Sequence, residues 1–305
     1  MEPETEAMRI LVIGHIGQLA TALRETSLPA GWHLRTLGRP ALDLCDAEAI
    51  DFVLTNDAPD VIINTAAYTA VDAAEENAEA AFALNHDAPA RLARACARQA
   101  IPLIHISSDY VFAGNKGAPY TENDPPEPVS VYGRSKRAGE MAIRESGATH
   151  LIIRTAWLFG PYGHNFLRTI LRLAEKGAPL RIVADQRGSP TCALHLAAAL
   201  IALLARWLAE PETFPWNRTW HLAGAGHATW FELATAIMCA APDFGLPSVP
   251  IQAIATSAYP AKAPRPPDSR LDCSAIDRAL GIRLPPWREG VIASLQHLVS
   301  REGAS

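Results

Sequence analysis

The chain has 305 residues, 49% of them hydrophobic and 19% charged, with a formal net charge of −5. This suits a globular protein with a substantial core in one large or two modest domains, and it does not suggest a nucleic-acid partner; an anionic ligand would need a local basic site. Five scattered cysteines (Cys45, Cys96, Cys192, Cys239, Cys273), odd in number and without a C-x-x-C pair, read as reduced thiols with no metal site.

Strands and helices alternate along the first half. "RILVI" (9–13) is a buried parallel strand, and "GHIGQLATALRET" is a glycine turn opening a helix. "HLRTLG" (33–38) is the second strand, "AEAIDFVLTNDAP" a helix and "DVIINTAA" (60–67) the third strand. Helical periodicity covers 79–100, and "IPLIHISS" (101–108) is the next strand. A loop rich in Gly, Pro and Asp spans 113–130. "YGRSKRAGEMAIRES" is helical, and "THLIIRTAWLFG" (149–160) is a strand running into a loop. The predicted fold class is α/β, a Rossmann-like doubly wound parallel sheet.

After Gly160 the pattern changes. "NFLRTILRLAEKG" and "TWFELATAIMCAA" are helical, while 241–270 is rich in proline with little periodicity. We expect a dinucleotide-binding domain at 1–155, with 192–224 returning to it. A smaller C-terminal substrate-binding domain, from 156–191 and 225–305, covers the sheet's carboxyl edge. The apolar run at 194–210 is interrupted by His195 and Arg206 and reads as a buried helix, not a membrane span. "MEPETEAMRI" lacks the apolar stretch of a secretory signal, so a cytoplasmic protein with no membrane partner is expected.

Gly14, Gly17 and Ala20 form G-x-x-G-x-x-A between a strand and a helix. That context lets backbone N–H groups and the helix dipole hold a pyrophosphate. The second strand ends at Gly38 and Arg39, with Arg35 nearby, where NAD-selective sites carry an acid. An arginine there suits a 2′-phosphate, favouring NADPH with NADH possible; an ordinary surface arginine is the alternative. Asp43 and Leu44 lie where they could border the adenine.

Tyr132 and Lys136 are one helical turn apart, and the chain has only four lysines. A phenol titrates near ~10, and a neighbouring ammonium lowers that value and can also bond a nicotinamide ribose. Ser107 and Ser108 end a strand, where open α/β sheets bind ligands. Together these suit carbonyl reduction: hydride to carbon, a proton from Tyr132 to oxygen, and Ser108 bonding that oxygen.

"GHIGQL", "NTAAYTAVDAAE", "ISSDYVFAG", "VYGRSKRAGE", "RTAWLFG", "DQRGSPT" and "RPPDSRLD" resemble the extended short-chain dehydrogenase/reductase family over nearly the whole chain. Within it, the similarity is to the branch acting on a dTDP-linked 4-keto-6-deoxysugar. The resemblance implies NADPH-dependent reduction of the C4 ketone of dTDP-4-dehydro-β-L-rhamnose to dTDP-L-rhamnose, by a homodimer. It implies Tyr132 as proton donor, Lys136 as its partner, and Ser108 where the family usually has threonine. Gly17, Gln18 and Leu19 would contact the pyrophosphate, and Ala66, Ala67 and Tyr68 would line the cofactor. Asp109, Trp157, Asn165 and Arg265 would contact the substrate, with Arg270 a further candidate. A core role for Trp157 and a structural cap for Arg265 remain open alternatives.

Another NDP-4-keto-sugar reductase is the near alternative, and three further rivals stand against this reading. The family's dehydratases carry an Asp-Glu pair after the strand-end hydroxyl, but Tyr110 follows Asp109 here. Its epimerase-reductases use a cysteine base, but none lies between Cys96 and Cys192. A non-catalytic regulatory subunit, of the kind that binds methionine adenosyltransferase, is disfavoured by the intact Tyr132, Lys136 and Ser108.

Overall fold

The structure is a computed structural model that describes residues 7–302; the first six residues of the acidic N-terminal stretch lie outside them. Its centre is a six-stranded parallel sheet. In chain order come β1 (Met8–Ile13), α1 (Gln18–Glu25), β2 (Trp32–Leu37), α2 (Ala47–Asp57) and β3 (Val61–Asn64). There follow α3 (Val71–Glu76), α4 (Ala78–Phe82), α5 (Ala88–Gln99), β4 (Leu103–Ser108), α6 (Val131–Arg144) and β5 (His150–Thr155). The helix read at 79–100 is α4 and α5 joined by a π-helical turn, Ala83–Asp87.

The remaining elements are β6 (Leu158–Phe159), α7 (Phe166–Ala174), β7 (Leu180–Val183), β8 (Arg187–Gly188), β9 (Thr191–Cys192) and α8 (Ala193–Ala209). Then come β10 (Arg218–His221), β11 (Ala228–Thr229), α9 (Trp230–Ala240), β12 (Ile251–Ile254), α10 (Ser274–Leu280) and α11 (Trp287–Glu302). Strand β12 pairs with β7 inside the proline-rich region, which sequence periodicity did not reveal. Among the described residues no helix is long and apolar enough to cross a membrane.

The sheet order is β10-β5-β4-β3-β1-β2. The winding reverses between β1 and β3, so a crevice opens at their carboxyl ends, at Gly14 and Thr65. One sheet face packs on α1 and α8 through Leu23, Leu200 and Leu204, the other on α2 and α5 through Leu54 and Leu92. A third core joins α7, α9 and α11 through Leu167, Leu233 and Leu295.

Helix α6 is held unusually close to its neighbours. Ser130 caps it by accepting from Gly133 N, and Glu75 accepts from Val131 N. A Cβ on Gly133 would lie 2.1 Å from Tyr110 O, and one on Gly139 would lie 2.1 Å from Asn85 O. Only glycine allows the helix to rest on those backbones.

One turn further, Glu140 is fully buried and takes two bonds from Arg154 of β5, at 2.8 and 2.7 Å. It also accepts from Ser107 Oγ at 2.7 Å and Arg144 at 3.1 Å. Burial pushes this carboxyl's pKa up, but Arg154, Ser107 and Arg144 outweigh it and hold the group below the usual range. Removing the carboxylate would leave Arg154 as an unpaired buried charge. Glu140→Ala is therefore expected to lose about 3–5 kcal/mol in urea unfolding. Because the folded value is lowered, the wild-type contribution is present above the unfolded pKa and fades as pH falls through the folded one. A variant as stable as wild type at pH 7 would contradict this.

Candidate active site

The turn after β1 has two different glycines. Gly14 has φ +121°, and a Cβ there would lie 2.3 Å from Thr65 Oγ1. Gly17 has φ −69°, open to any residue, and a Cβ there would meet nothing within 4 Å. No protein contact therefore requires glycine at 17. Gly17 N-caps α1 without a side-chain hydrogen bond, and the first turn of α1 has no acid. Free N–H donors, the positive helix end and room for close approach fit a dinucleotide pyrophosphate.

Gln18 Nε2 donates weakly to Leu158 O at 3.4 Å, and its Oε1 is buried without a partner. Leu19 and Ala20 are core residues, so Leu19 offers only its backbone to the turn. Arg39 is exposed and makes no side-chain hydrogen bond or ion pair among the described residues. Arg35, in contrast, is paired with Asp57. Arg39 is thus the uncommitted cation at the end of β2. Asp43 accepts from Cys45 N at 2.9 Å. Leu44 buries its side chain in the cluster with Leu42 and Leu54, which leaves its backbone to border an adenine.

Ala66, Ala67 and Tyr68 form the half-buried loop after β3. Asn85, on the π-helical turn, clamps that loop by accepting from Tyr68 N and donating to Tyr68 O. It also donates to Ser135 Oγ on α6 at 3.0 Å. One asparagine thereby couples the cofactor-side loop to the helix that carries Tyr132.

Ser108 ends β4 opposite Thr155 of β5. Its hydroxyl donates to Asp109 Oδ1 at 2.9 Å and accepts from Tyr110 N at 3.1 Å. Burial raises the Tyr132 phenol to about 12, while Ser108 acts as a hydrogen-bond partner in the opposite direction. Lys136 is 2% exposed; burial pulls it down to about 8, with Glu140 opposing.

Here the structure departs from the expected pairing. Lys136 Nζ donates to Ile106 O at 2.7 Å and makes no hydrogen bond to the phenol. A buried lysine head group turned to a carbonyl on β4 is not aimed at the phenol one turn away.

On the substrate side, Asp109 is buried, its Oδ2 has no hydrogen-bond partner, and burial raises it to about 6. Trp157 has φ +46°, a strained value for a bulky residue. Its ring stacks on Trp230 at 3.6 Å and 4°, and Trp230 Nε1 donates to Gln186 Oε1. Asn165 caps α7 through Arg168 N and ties down Gly160 O and Tyr162 O, so its amide is engaged with backbone. Arg265 binds both oxygens of Asp72, and Arg270 binds Asp268 and Gly117 O. Both arginines staple the C-terminal loop as the structure stands.

Residues 8–300 match the family described as RmlD substrate binding domain. The chain belongs to this family. It is 40% identical to the dTDP-4-dehydrorhamnose reductase of Sinorhizobium fredii over 282 residues, 92% of this chain and 95% of that one. The Escherichia coli protein of the same name is 35% identical, covering 95% of this chain and 98% of its own. The crystal structure of Bacillus anthracis dTDP-4-dehydrorhamnose reductase in complex with NADP superposes with a TM-score of 0.87 at 30% identity. It covers 96% of this chain and all of that one.

Sequence reasoning missed Asn64, Asn85, His105, Thr155, Trp230 and Gly188. Two carried a readable signal: Asn64 and His105 interrupt apolar strand runs, and a buried polar residue demands a partner. Gly188 is visible only in three dimensions, where a Cβ would lie 2.2 Å from the Trp157 ring. Gly188→Ala is expected to unstack the two indoles, removing their exciton-coupled circular dichroism and lowering Tm. An unchanged spectrum would mean the ring has another place to rest.

Proposed function

We propose that the chain is an NADPH-dependent dTDP-4-dehydrorhamnose reductase, which reduces the C4 ketone of dTDP-4-dehydro-β-L-rhamnose to dTDP-L-rhamnose. The observation that carries this reading is the placement of Tyr132 beside the carboxyl end of β4: its ring stands edge-on to Tyr110, 5.6 Å between centroids, and Tyr110 N donates to Ser108 Oγ. The glycine turn lies on the same edge of the sheet, two strands away. The relatives' activities and the NADP complex support it.

NADPH supplies the hydride. The chain's residues hold the ketone and provide the proton. Gly14, Gly17 and the start of α1 receive the pyrophosphate, Arg39 the 2′-phosphate, and Ala66, Ala67 and Tyr68 flank the bound cofactor. Ser108 Oγ and the Tyr132 phenol both address the ketone oxygen. With its pKa raised to about 12, the phenol keeps its proton at neutral pH and is charged for donation. As the carbonyl oxygen gains negative charge, Tyr132 gives up that proton, and the ammonium of Lys136 is the cation within the helix that can steady the phenolate. Asp109, buried beside Ser108, and the Trp157 indole, held between Trp230 and Gly188, border the proposed sugar site.

Tyr132→Phe should lower kcat by roughly 10²–10⁴-fold while NADPH still binds, because it removes the proton and little of the packing. This is measured as NADPH oxidation on adding the 4-keto sugar nucleotide. Wild-type protein with no turnover would overturn the reading. Arg39→Ala should weaken NADPH more than NADH in fluorescence titrations; equal losses would remove Arg39 from the 2′-phosphate.

A further inference from the structure

Lys136 has a neighbour that the reaction scheme does not use. His105 lies on β4, wholly buried, with Nε2 3.4 Å from Lys136 Nζ. On its other side, Nδ1 lies 3.1 Å from Asn64 Nδ2. The amide orientation of Asn64 is fixed, because its Oδ1 accepts from Ala66 N at 3.1 Å.

These contacts determine where the histidine proton sits. An NH₂ group only donates, so Asn64 leaves Nδ1 as the acceptor. Burial and the adjacent Lys136 drive the His105 pKa well below its usual value, so the ring is neutral. Its single proton is therefore on Nε2, pointing at Nζ. An ammonium has three donors and no lone pair, so it faces that N–H proton against proton. A neutral amine fits instead: it accepts from Nε2–H while donating to Ile106 O at 2.7 Å.

We propose that Asn64 and His105 are a positioning pair for Lys136: Asn64 fixes the Nε2–H tautomer, and that N–H weakens the hold of Lys136 on its third proton. Burial acts in the same direction and Glu140 opposes it. The other charged or titratable groups of the surrounding elements are engaged elsewhere. Glu140 is bound to Arg154 and Arg144, Glu75 to Val131 N, and Asp87 to His86. Asp109, Tyr110 and Tyr132 make no hydrogen bond to Nζ. The charge on Lys136 then depends on pH close to neutrality, and, resting on the proposed role of Lys136, so does its grip on a nicotinamide ribose.

The chain has only four lysines, Lys116, Lys136, Lys176 and Lys262, so ¹³Cε-lysine NMR can follow each one. The free protein is titrated, with Lys136→Met assigning the signal. Wild-type Lys136 should titrate near 8, below the other three. His105→Phe, which keeps the volume buried but has no N–H, should raise that midpoint by about one unit, tenfold in proton affinity. Asn64→Asp keeps shape and reverses the tautomer: the carboxylate accepts from Nδ1–H, and Nε2 offers the ammonium a lone pair. Its midpoint should rise further. An unchanged midpoint in His105→Phe, or an Asn64→Asp midpoint no higher than that of His105→Phe, would overturn the proposal. Should His105→Phe fail to fold, an unchanged midpoint in Asn64→Asp alone overturns it. Because neither substrate nor cofactor is present, failure here is separate from failure of the reductase reading.

Discussion

Glu140 has no contact with water, and its carboxylate joins three elements at once: Arg154 of β5, Ser107 of β4 and Arg144 of its own helix. The pair with Arg154 is the anchor that fixes helix α6 on the sheet. A hydrophobic contact would hold α6 without fixing its rotation. A bidentate ion pair with a defined fork geometry fixes both rotation and height. Lys136 and Tyr132 lie one and two turns earlier on the same helix, so their positions follow from it. Gly133 and Gly139 then let the helix backbone settle against Tyr110 O and Asn85 O. The ion pair and the glycines act together, since a tight approach without a polar anchor would leave α6 free to slide.

The alternating strands and helices of the first half were legible because each strand is buried on both faces and each helix on one, which leaves a clear periodic signal. The glycine turn and the Tyr132–Lys136 pair could be singled out because each is a short local motif, and Ser108 because it ends a strand. What escaped was set by contacts that hydrophobic periodicity does not encode. Asn165 has the side chain of a ligand contact, but it is engaged with Gly160 O, Tyr162 O and Arg168 N. Leu44 sits where a nucleotide could be reached, yet the α2 core takes its side chain. Strand β12 is four residues long, and its pairing with β7 is the kind of non-local contact that periodicity cannot predict. Asn64 and His105 were visible as polar residues in apolar strands, but their meaning depends on the register that sets β3 beside β4.

The region beyond β5 contributes in a different way. Trp157 follows immediately after Ala156, with its backbone in a left-handed conformation. That strain persists because the ring is fixed on both sides: Trp230 stacks on it, and Gly188 leaves it space. Trp230 is in turn held by Gln186, and Gln186 by Thr256. The indole that faces the proposed sugar site is thus set by α9, β8 and the 3-10 turn at Thr256–Ala258, not by the Rossmann sheet. The sheet supplies the proposed proton donor and the proposed cofactor turn, while the C-terminal elements set the ring.

The two ionisable groups of the helix are both displaced by burial, in opposite senses relative to charge. The phenol is raised to about 12 and the ammonium lowered to about 8, so burial favours the neutral form of each. In the proposed reduction neutral Tyr132 is the form needed, because only a protonated phenol can donate to a nascent alkoxide. Neutral Lys136 is the form that the Nε2–H of His105 accommodates. Proton transfer then creates a phenolate in the same buried space, where charge without a counter-charge is costly. The cheapest relief is a cation from the adjoining turn, so the transition state asks for the ammonium that the resting geometry disfavours. A helix whose lysine can gain a proton near neutral pH meets both demands, and a lysine with an ordinary pKa would need no such neighbour as His105.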